Sequence, residues 1–220
     1  MVSVSRNRPI GFDTVASAPV LFPDDTLFCQ RILRQAGAYD GTLDGLRGDG
    51  TRAGIEAFLR QYEAIKAELG SFDDRSESVL RTLLPKTQRA ARLFLKKANN
   101  ALNGFDVKML SGSRTYAEQD KLYAKGRTAP GSVVTNARGG ASNHNFGIAF
   151  DVGIFQGGRY LTGDNAAEER LYRQLGPHAN PGLEWGGNWV SFTDLPHYQL
   201  PTGLTTRQVR ERFEAGRAYV

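Results

Sequence analysis

The sequence predicts an α+β protein: a small N-terminal three-helix bundle followed by an α+β unit built on a central antiparallel sheet. Three amphipathic helical patterns fall between residue 24 and Pro85, and beyond them helical patterns alternate with short β-rich runs, the clearest at residues 147–154. The 220 residues, 40% hydrophobic and 23% charged, are enough for one medium unit and one small one. We therefore expect an irregular lead-in over residues 1–23, a helical unit over 24–85 and a second unit over 86–220.

Residues 1–23 mix Ser, Pro and Arg with isolated apolar residues and show no period. From Asp24 and Asp25 a helix follows, with Leu27, Ile32, Leu33 and Ala36 on one face and Gly37 as its stop. A Gly- and Asp-rich loop from Tyr39 to Gly45 leads to Thr51, the expected N-cap of a helix that displays Ile55, Phe58, Leu59 and Tyr62. A third helix carries Val79, Leu80, Leu83 and Leu84 and stops at Pro85. The second unit opens with Ala90, Leu93, Phe94 and Ala98 on a helix, then a strand over residues 107–110. Thr115 and Glu118 form a capping box for a helix running to Gly126. Residues 147–154 alternate like a central strand, Asp164 caps a helix containing Leu171, Tyr172 and Leu175, and a last helix from about Thr206 displays Val209 and Phe213. The order is α, β, loop, β, α, β, α.

Composition narrows the function. No apolar run approaches the roughly 18 residues of a membrane helix, and residues 1–20 lack the continuous apolar stretch of an export signal. No membrane insertion is expected, and synthesis in the cytoplasm is. The single Cys29 excludes an intramolecular disulfide and a multi-cysteine zinc or iron–sulfur cage, and reads as a small core residue. The net charge of +5 is uneven: residues 1–85 hold 10 Lys and Arg against 12 Asp and Glu, residues 86–220 hold 18 against 11. A basic half suits an anionic polymer; without a reading motif or a long basic run, no nucleic acid partner is expected. A monomer is expected.

Of the three histidines, two sit in chemically suggestive company. His144 lies seven residues before Asp151, and His197 three after Asp194 with Pro196 between. A catalytic zinc takes about three protein ligands and leaves a position open. His144, Asp151 and His197 supply two imidazoles and a carboxylate, and the small Gly147 and Ala149 between the first two allow close backbone approach. Asp194 is a further carboxylate outside that set, placed to act as general base. Trp185 and Trp189, flanked by glycines, fit either a cleft wall or a core. Glu184 is farther from His197 than Asp194, and His178 sits in turn-like surroundings.

Two resemblances extend this reading. Residues 24–84, through Gln30-x-x-Leu33, Gly37-x-Tyr39-x-Gly41-x-x-Asp44-Gly45 and Thr51-Arg52-x-x-Ile55-x-x-Phe58, resemble the three-helix peptidoglycan-binding domain found beside wall hydrolases. Arg47-Gly48-Asp49-Gly50 replaces the usual aromatic-Gly, Leu59 stands where Gln is usual, and the Asp-Gly pairs serve equally as plain turn formers. Residues 111–198 resemble the M15-type zinc peptidases that cut peptidoglycan, in particular the L-alanyl-D-glutamate endopeptidase branch of phage endolysins and autolysins. The motifs are Ser111-Gly112-Ser113-Arg114-Thr115-Tyr116-x-Glu118-Gln119, Ser142-x-His144-x-x-Gly147-x-Ala149-x-Asp151, Trp185-Gly186-Gly187-x-Trp189 and Asp194-x-Pro196-His197.

The second resemblance implies His144, Asp151 and His197 as zinc ligands, Asp194 as catalytic acid/base, and Arg114 as a cleft group bonding the scissile carbonyl. It puts Gln119 near the substrate, and Ser142 reads as a group bonding beside the metal. An aspartate rather than a glutamate in Asp-x-x-His favours the endopeptidase branch. The expected function is hydrolysis of the peptidoglycan stem peptide between L-Ala and D-Glu, with residues 24–84 holding the enzyme at its polymer. A D,D-carboxypeptidase or dipeptidase on the same scaffold, or a non-catalytic peptidoglycan-binding protein with a structural zinc, is the alternative. Action on the wall would follow release through a holin-type pore or delivery by a secretion system.

Overall fold

Asp25 starts the fold by accepting the Phe28 amide at 2.9 Å, capping α1 (Thr26–Gln35). This computed structural model describes residues 21–179 and 181–220, so the expected lead-in falls largely outside the described residues. Gly37 takes φ +66° just past α1, the left-handed stop its position calls for. The helices α2 (Asp49–Leu69), α3 (Asp74–Leu80) and α4 (Pro85–Ala101) follow.

Two helix ends differ from expectation. Helix α2 begins at Asp49 behind Gly48, not behind Thr51. The Thr51 hydroxyl turns inward instead, donating to the Leu46 carbonyl at 3.1 Å and accepting from the fully buried Gln30 amide at 3.1 Å. That amide nitrogen also donates to Asp44 at 2.8 Å and the Leu46 carbonyl at 3.0 Å. The motif residues of the N-terminal unit thus bond one another and hold its loop closed. Helix α3 ends at Leu80, four residues short of Leu84. After Leu80 the chain tightens into i→i+3 turns, Thr82 to Val79 and Leu83 to Leu80, and Pro85 sets Leu84 extended at ψ 149°, so Leu84 caps α4 and cannot belong to α3.

An ion pair ties these helices together. Arg92 of α4, wholly buried, donates to both Glu77 oxygens at 2.8 and 2.7 Å and to the Gly70 carbonyl at 2.8 Å. Glu77 also accepts from Tyr62 at 2.6 Å and from the Phe72 amide at 2.8 Å. Every charge therefore has several partners, the condition under which a buried pair is tolerable.

The sheet comprises β1 (Asp106–Ser111), β2 (Ala149–Gln156), β3 (Arg159–Leu161), β4 (Glu184–Trp185) and β5 (His197–Gln199), all antiparallel, in the order β1-β2-β5-β4 with β3 on β2. The outer edge of β1 is satisfied by helix side chains: Ser76 accepts the Met109 amide at 3.0 Å, and Asn99 bonds both backbone groups of Val107 at 2.9 and 3.0 Å. Helices α5 (Tyr116–Ala124), α6 (Ala166–Leu175) and α7 (Thr206–Glu214) complete the chain. The Thr115–Glu118 capping box is present on α5, which ends at Ala124 rather than Gly126, and α6 is capped by Asn165 rather than Asp164 because the Asn165 side chain takes the Ala167 and Glu168 amides.

The core runs through both expected units without a break. Phe28 of α1 meets Tyr116 and Phe213, while Phe94 of α4 lies against Phe150 and Tyr198 of the sheet. Among the described residues no helix is long and apolar enough to cross a membrane.

Burial alone would raise the Glu77 carboxyl, but Arg92, Tyr62 and the Phe72 amide together hold it below its ordinary value. A carboxyl lowered in the folded state adds stability that is full above its unfolded pKa and lost as pH falls through the folded one. Glu77→Leu, which strands buried Arg92, should cost about 3–5 kcal/mol at neutral pH. In urea titrations the gap to wild type should narrow below about pH 4; a gap constant with pH would contradict this role.

Candidate metal centre

Three neighbouring strands build the centre. Asp151 on β2 lies directly across from Ser111 of β1 on one side and His197 of β5 on the other. A bulge between Met109 and Ser111 aims Ser111 there. His144 comes from the short 3-10 turn Asn143–Phe146, capped by Ser142, whose hydroxyl accepts the His144 amide at 3.4 Å. Gly147 ends that turn at φ +69°, and a Cβ on it would meet Leu84 at 2.9 Å. The Gly147 carbonyl accepts from the Leu84 amide at 3.0 Å and the Thr87 hydroxyl at 2.9 Å, so the α3–α4 corner holds the histidine turn against the sheet.

His144 Nε2, Asp151 Oδ1 and His197 Nδ1 converge, with separations of 3.2, 3.1 and 3.2 Å for His144–Asp151, His197–Asp151 and His144–His197. Ligands about 2.0–2.1 Å from a tetrahedral ion lie about 3.3–3.4 Å apart, so the three side chains are spaced as such an ion would require. Each ligand is oriented from behind. His144 Nδ1 donates to the Gly112 carbonyl at 2.8 Å, which leaves Nε2 as the free lone pair. Ser111 donates to the other Asp151 oxygen at 2.7 Å and Arg114 to the same oxygen at 3.3 Å. These supports, Ser111 and the Gly112 carbonyl, went unassigned in the sequence, although both open the motif that contains Arg114.

The cleft around the triangle measures about 1040 Å³ and is lined by Arg114, Ser142, Trp189 and Asp194 together with Val133, Val134 and Phe192. Trp189 packs 4.9 Å from the His197 ring and 5.2 Å from Phe192, centroid to centroid. Gln119 and Trp185 are not among the lining residues. Gln119 is wholly buried behind Arg114, accepting its guanidinium at 2.9 Å and donating to the Ala137 carbonyl at 2.9 Å, so it couples Arg114 to the loop that carries Val133 and Val134. Trp185 donates to the Leu195 carbonyl at 2.8 Å and supports the turn between Asp194 and His197 from behind. Gly186 lets that turn approach: its carbonyl accepts the Asp194 amide at 3.1 Å, and a Cβ there would meet the Asp194 carbonyl at 2.6 Å. His178 lies apart in the 3-10 turn Gly176–Ala179.

The two cleft carboxylates sit in opposite settings. Burial would raise Asp151, but the charges and hydrogen bonds of His144 and His197 hold it well below the ordinary range. Asp194 is raised by burial and by the nearby Asp151 charge, against smaller opposing effects of His197 and Arg114. Among the described residues no group hydrogen-bonds its carboxylate. Burial lowers His144, whereas Asp151 outweighs burial at His197 and raises it; burial likewise lowers Arg114.

Residues 135–200, which contain all three converging side chains and Asp194, match a family profile of M15 peptidases described as D-alanyl-D-alanine carboxypeptidase. The chain is 36% identical over 116 residues to the peptidoglycan L-alanyl-D-glutamate endopeptidase CwlK of Bacillus subtilis (strain 168), which spans 47% of this chain and 66% of that relative. Among solved structures, the L-Ala D-Glu endopeptidase ChiX of Serratia marcescens aligns with a TM-score of 0.44 and 25% identity, over 60% of this chain and 90% of that one.

The Gln119 bridge gives a direct test. Gln119→Leu takes their partner from the half-buried Arg114 guanidinium and the half-buried Ala137 carbonyl, at about 1–3 kcal/mol. Hydrogen exchange should quicken at residues 133–137 while the amides of β2 keep their protection; unchanged exchange in that loop would show that Gln119 does not hold it.

Proposed function

We propose that this chain, which carries an M15-type peptidase domain, is a zinc-dependent peptidoglycan endopeptidase that hydrolyses the stem peptide at the L-Ala–D-Glu bond. The observation that carries the reading is the convergence of two imidazoles and the Asp151 carboxylate within 3.2 Å of one another, with a second carboxylate, Asp194, lining the same cleft outside that set. Environments that push two carboxyls apart separate a ligand or anion from a proton carrier. The donor set of two imidazoles and one carboxylate suits zinc. When bound, such an ion supplies Lewis acidity toward water and toward a peptide carbonyl.

The chain's own residues do the rest. Asp194 takes a proton from the attacking water and returns it to the leaving amine, a role that asks for a carboxylate free of hydrogen-bond donors. Arg114, anchored by Gln119 and Asp151, offers a guanidinium at the cleft surface where negative charge develops on the carbonyl oxygen. Trp189, Phe192, Val133 and Val134 give the cleft apolar surface on which small side chains can rest, with Val133, Val134 and Phe192 open to solvent. The relative's L-alanyl-D-glutamate activity supports the choice of bond, and the basic second half suits an anionic wall polymer. The family description keeps D,D-carboxypeptidase as the second reading. Mass spectrometry of digested muropeptides separates them: new N-terminal D-Glu supports the proposal, and free D-Ala supports the rival.

Asp194→Asn should keep zinc while lysis of purified sacculi falls about 10²- to 10⁴-fold; full lysis would remove Asp194 from the mechanism. Chelation should abolish activity and lower the melting temperature, and added zinc should restore both; a chelator-treated protein with undiminished activity would refute the metal requirement.

A further inference from the structure

We propose that Gln199 and Glu184 form a positioning relay that keeps the proton of His197 on Nε2 and so leaves Nδ1 free for the ion; the inference rests on the metal-centre reading above. His197 and Gln199 are alternate residues of β5 and therefore share a face. Glu184 of β4 is the direct cross-strand partner of Gln199. The Gln199 amide nitrogen donates to Glu184 Oε2 at 2.8 Å, while its oxygen faces His197 Nε2 at 3.1 Å and accepts from Asn143 Nδ2 at 2.8 Å.

The chemistry of these groups leaves one consistent arrangement. An ionised carboxylate only accepts, so the NH₂ of Gln199 must face Glu184 and its carbonyl must face the ring. Asn143 donates to that same carbonyl, which fixes the amide from a second side and links it to the turn carrying His144. A carbonyl oxygen cannot donate, so His197 Nε2 carries the hydrogen and Nδ1 presents its lone pair. The relay has an opponent. Asp151 Oδ1 lies 3.1 Å from Nδ1 and on its own would draw the hydrogen to that nitrogen, the tautomer that cannot bind a metal. Gln199 acts from the far side of the ring, through a neutral amide that adds no charge to the centre.

The test reads zinc affinity by chelator competition, independently of any wall substrate, in the full chain. Gln199→Leu should weaken zinc binding about 10- to 100-fold, the usual effect of losing a group behind a metal-bound histidine. The swapped variant E184Q/Q199E puts the acceptor on residue 199 and the donor on residue 184, and should return affinity to within about threefold of wild type. The ¹⁵N shifts of His197 in the metal-free protein, read where the ring is neutral, should report hydrogen on Nε2 in wild type and swap and a shift toward Nδ1 in Gln199→Leu. If Gln199→Leu does not fold, Glu184→Ala carries the test, because it frees the amide to turn and should weaken zinc several-fold. The relay is overturned by single variants that bind zinc like wild type, or by a swap that binds as weakly as Gln199→Leu. A wild type with no zinc affinity overturns the metal-centre reading and the relay together.

Discussion

The structure depends on one alignment: Asp151 of the central strand paired across the sheet with Ser111 on one side and His197 on the other. Antiparallel register makes these three side chains neighbours on one face, and a slip of one residue would turn each to the opposite face. The rest of the fold protects that register. The β1 edge is closed by Ser76 and Asn99, the bulge after Met109 sets Ser111, and the α3–α4 corner clasps Gly147 so that His144 meets the sheet end. Stability and site geometry are therefore built from the same contacts.

This bears on the helical segment. Its α1, α2 and α3 supply Phe28, Ile32, Phe58 and Leu80 to the same core as Phe146, Phe150 and Phe213, and Leu84 at its end bonds the site's own turn. Residues such as Gln30, Asp44 and Thr51, which give the segment its resemblance to a wall-binding domain, are engaged with one another inside the loop. Their chemistry accounts for the loop's shape.

Much of this was legible in the sequence because local signals there agreed with the tertiary result. Gly37, the Thr115–Glu118 box and the alternation after Gly147 each correspond to a structural feature at that place, and the spacing of His144, Asp151, Asp194 and His197 drew attention to the residues that gather in the cleft. What was illegible depended on contacts between distant residues. Thr51 looked like a cap until Gln30 and Leu46 claimed its hydroxyl, and Leu84 looked like the end of α3 although Pro85 makes it the start of α4. The resemblance puts Gln119 near the substrate and the flanking glycines let Trp185 fit either a cleft wall or a core; both stand one layer back from the cleft, since helix and loop polarity cannot show which side a neighbouring segment will cover. Gln199 carried no signal beyond standing two residues after a histidine on one strand.

The division of labour between the carboxylates follows from their neighbours alone. Two imidazoles, a serine and a guanidinium converge on Asp151, while among the described residues no group hydrogen-bonds the Asp194 carboxylate, which feels the Asp151 charge. In the mechanism proposed above, the same residue type serves as an anion in one place and as a proton carrier in the other.

X-ray absorption at the zinc edge of the metal-loaded protein tests the central claim most directly. Two imidazole nitrogens and a carboxylate oxygen at about 2.0–2.2 Å, with one imidazole fewer in each of His144→Ala and His197→Ala, is the result expected. A zinc shell that keeps its imidazoles in both variants would place the ion elsewhere and contradict the assignment.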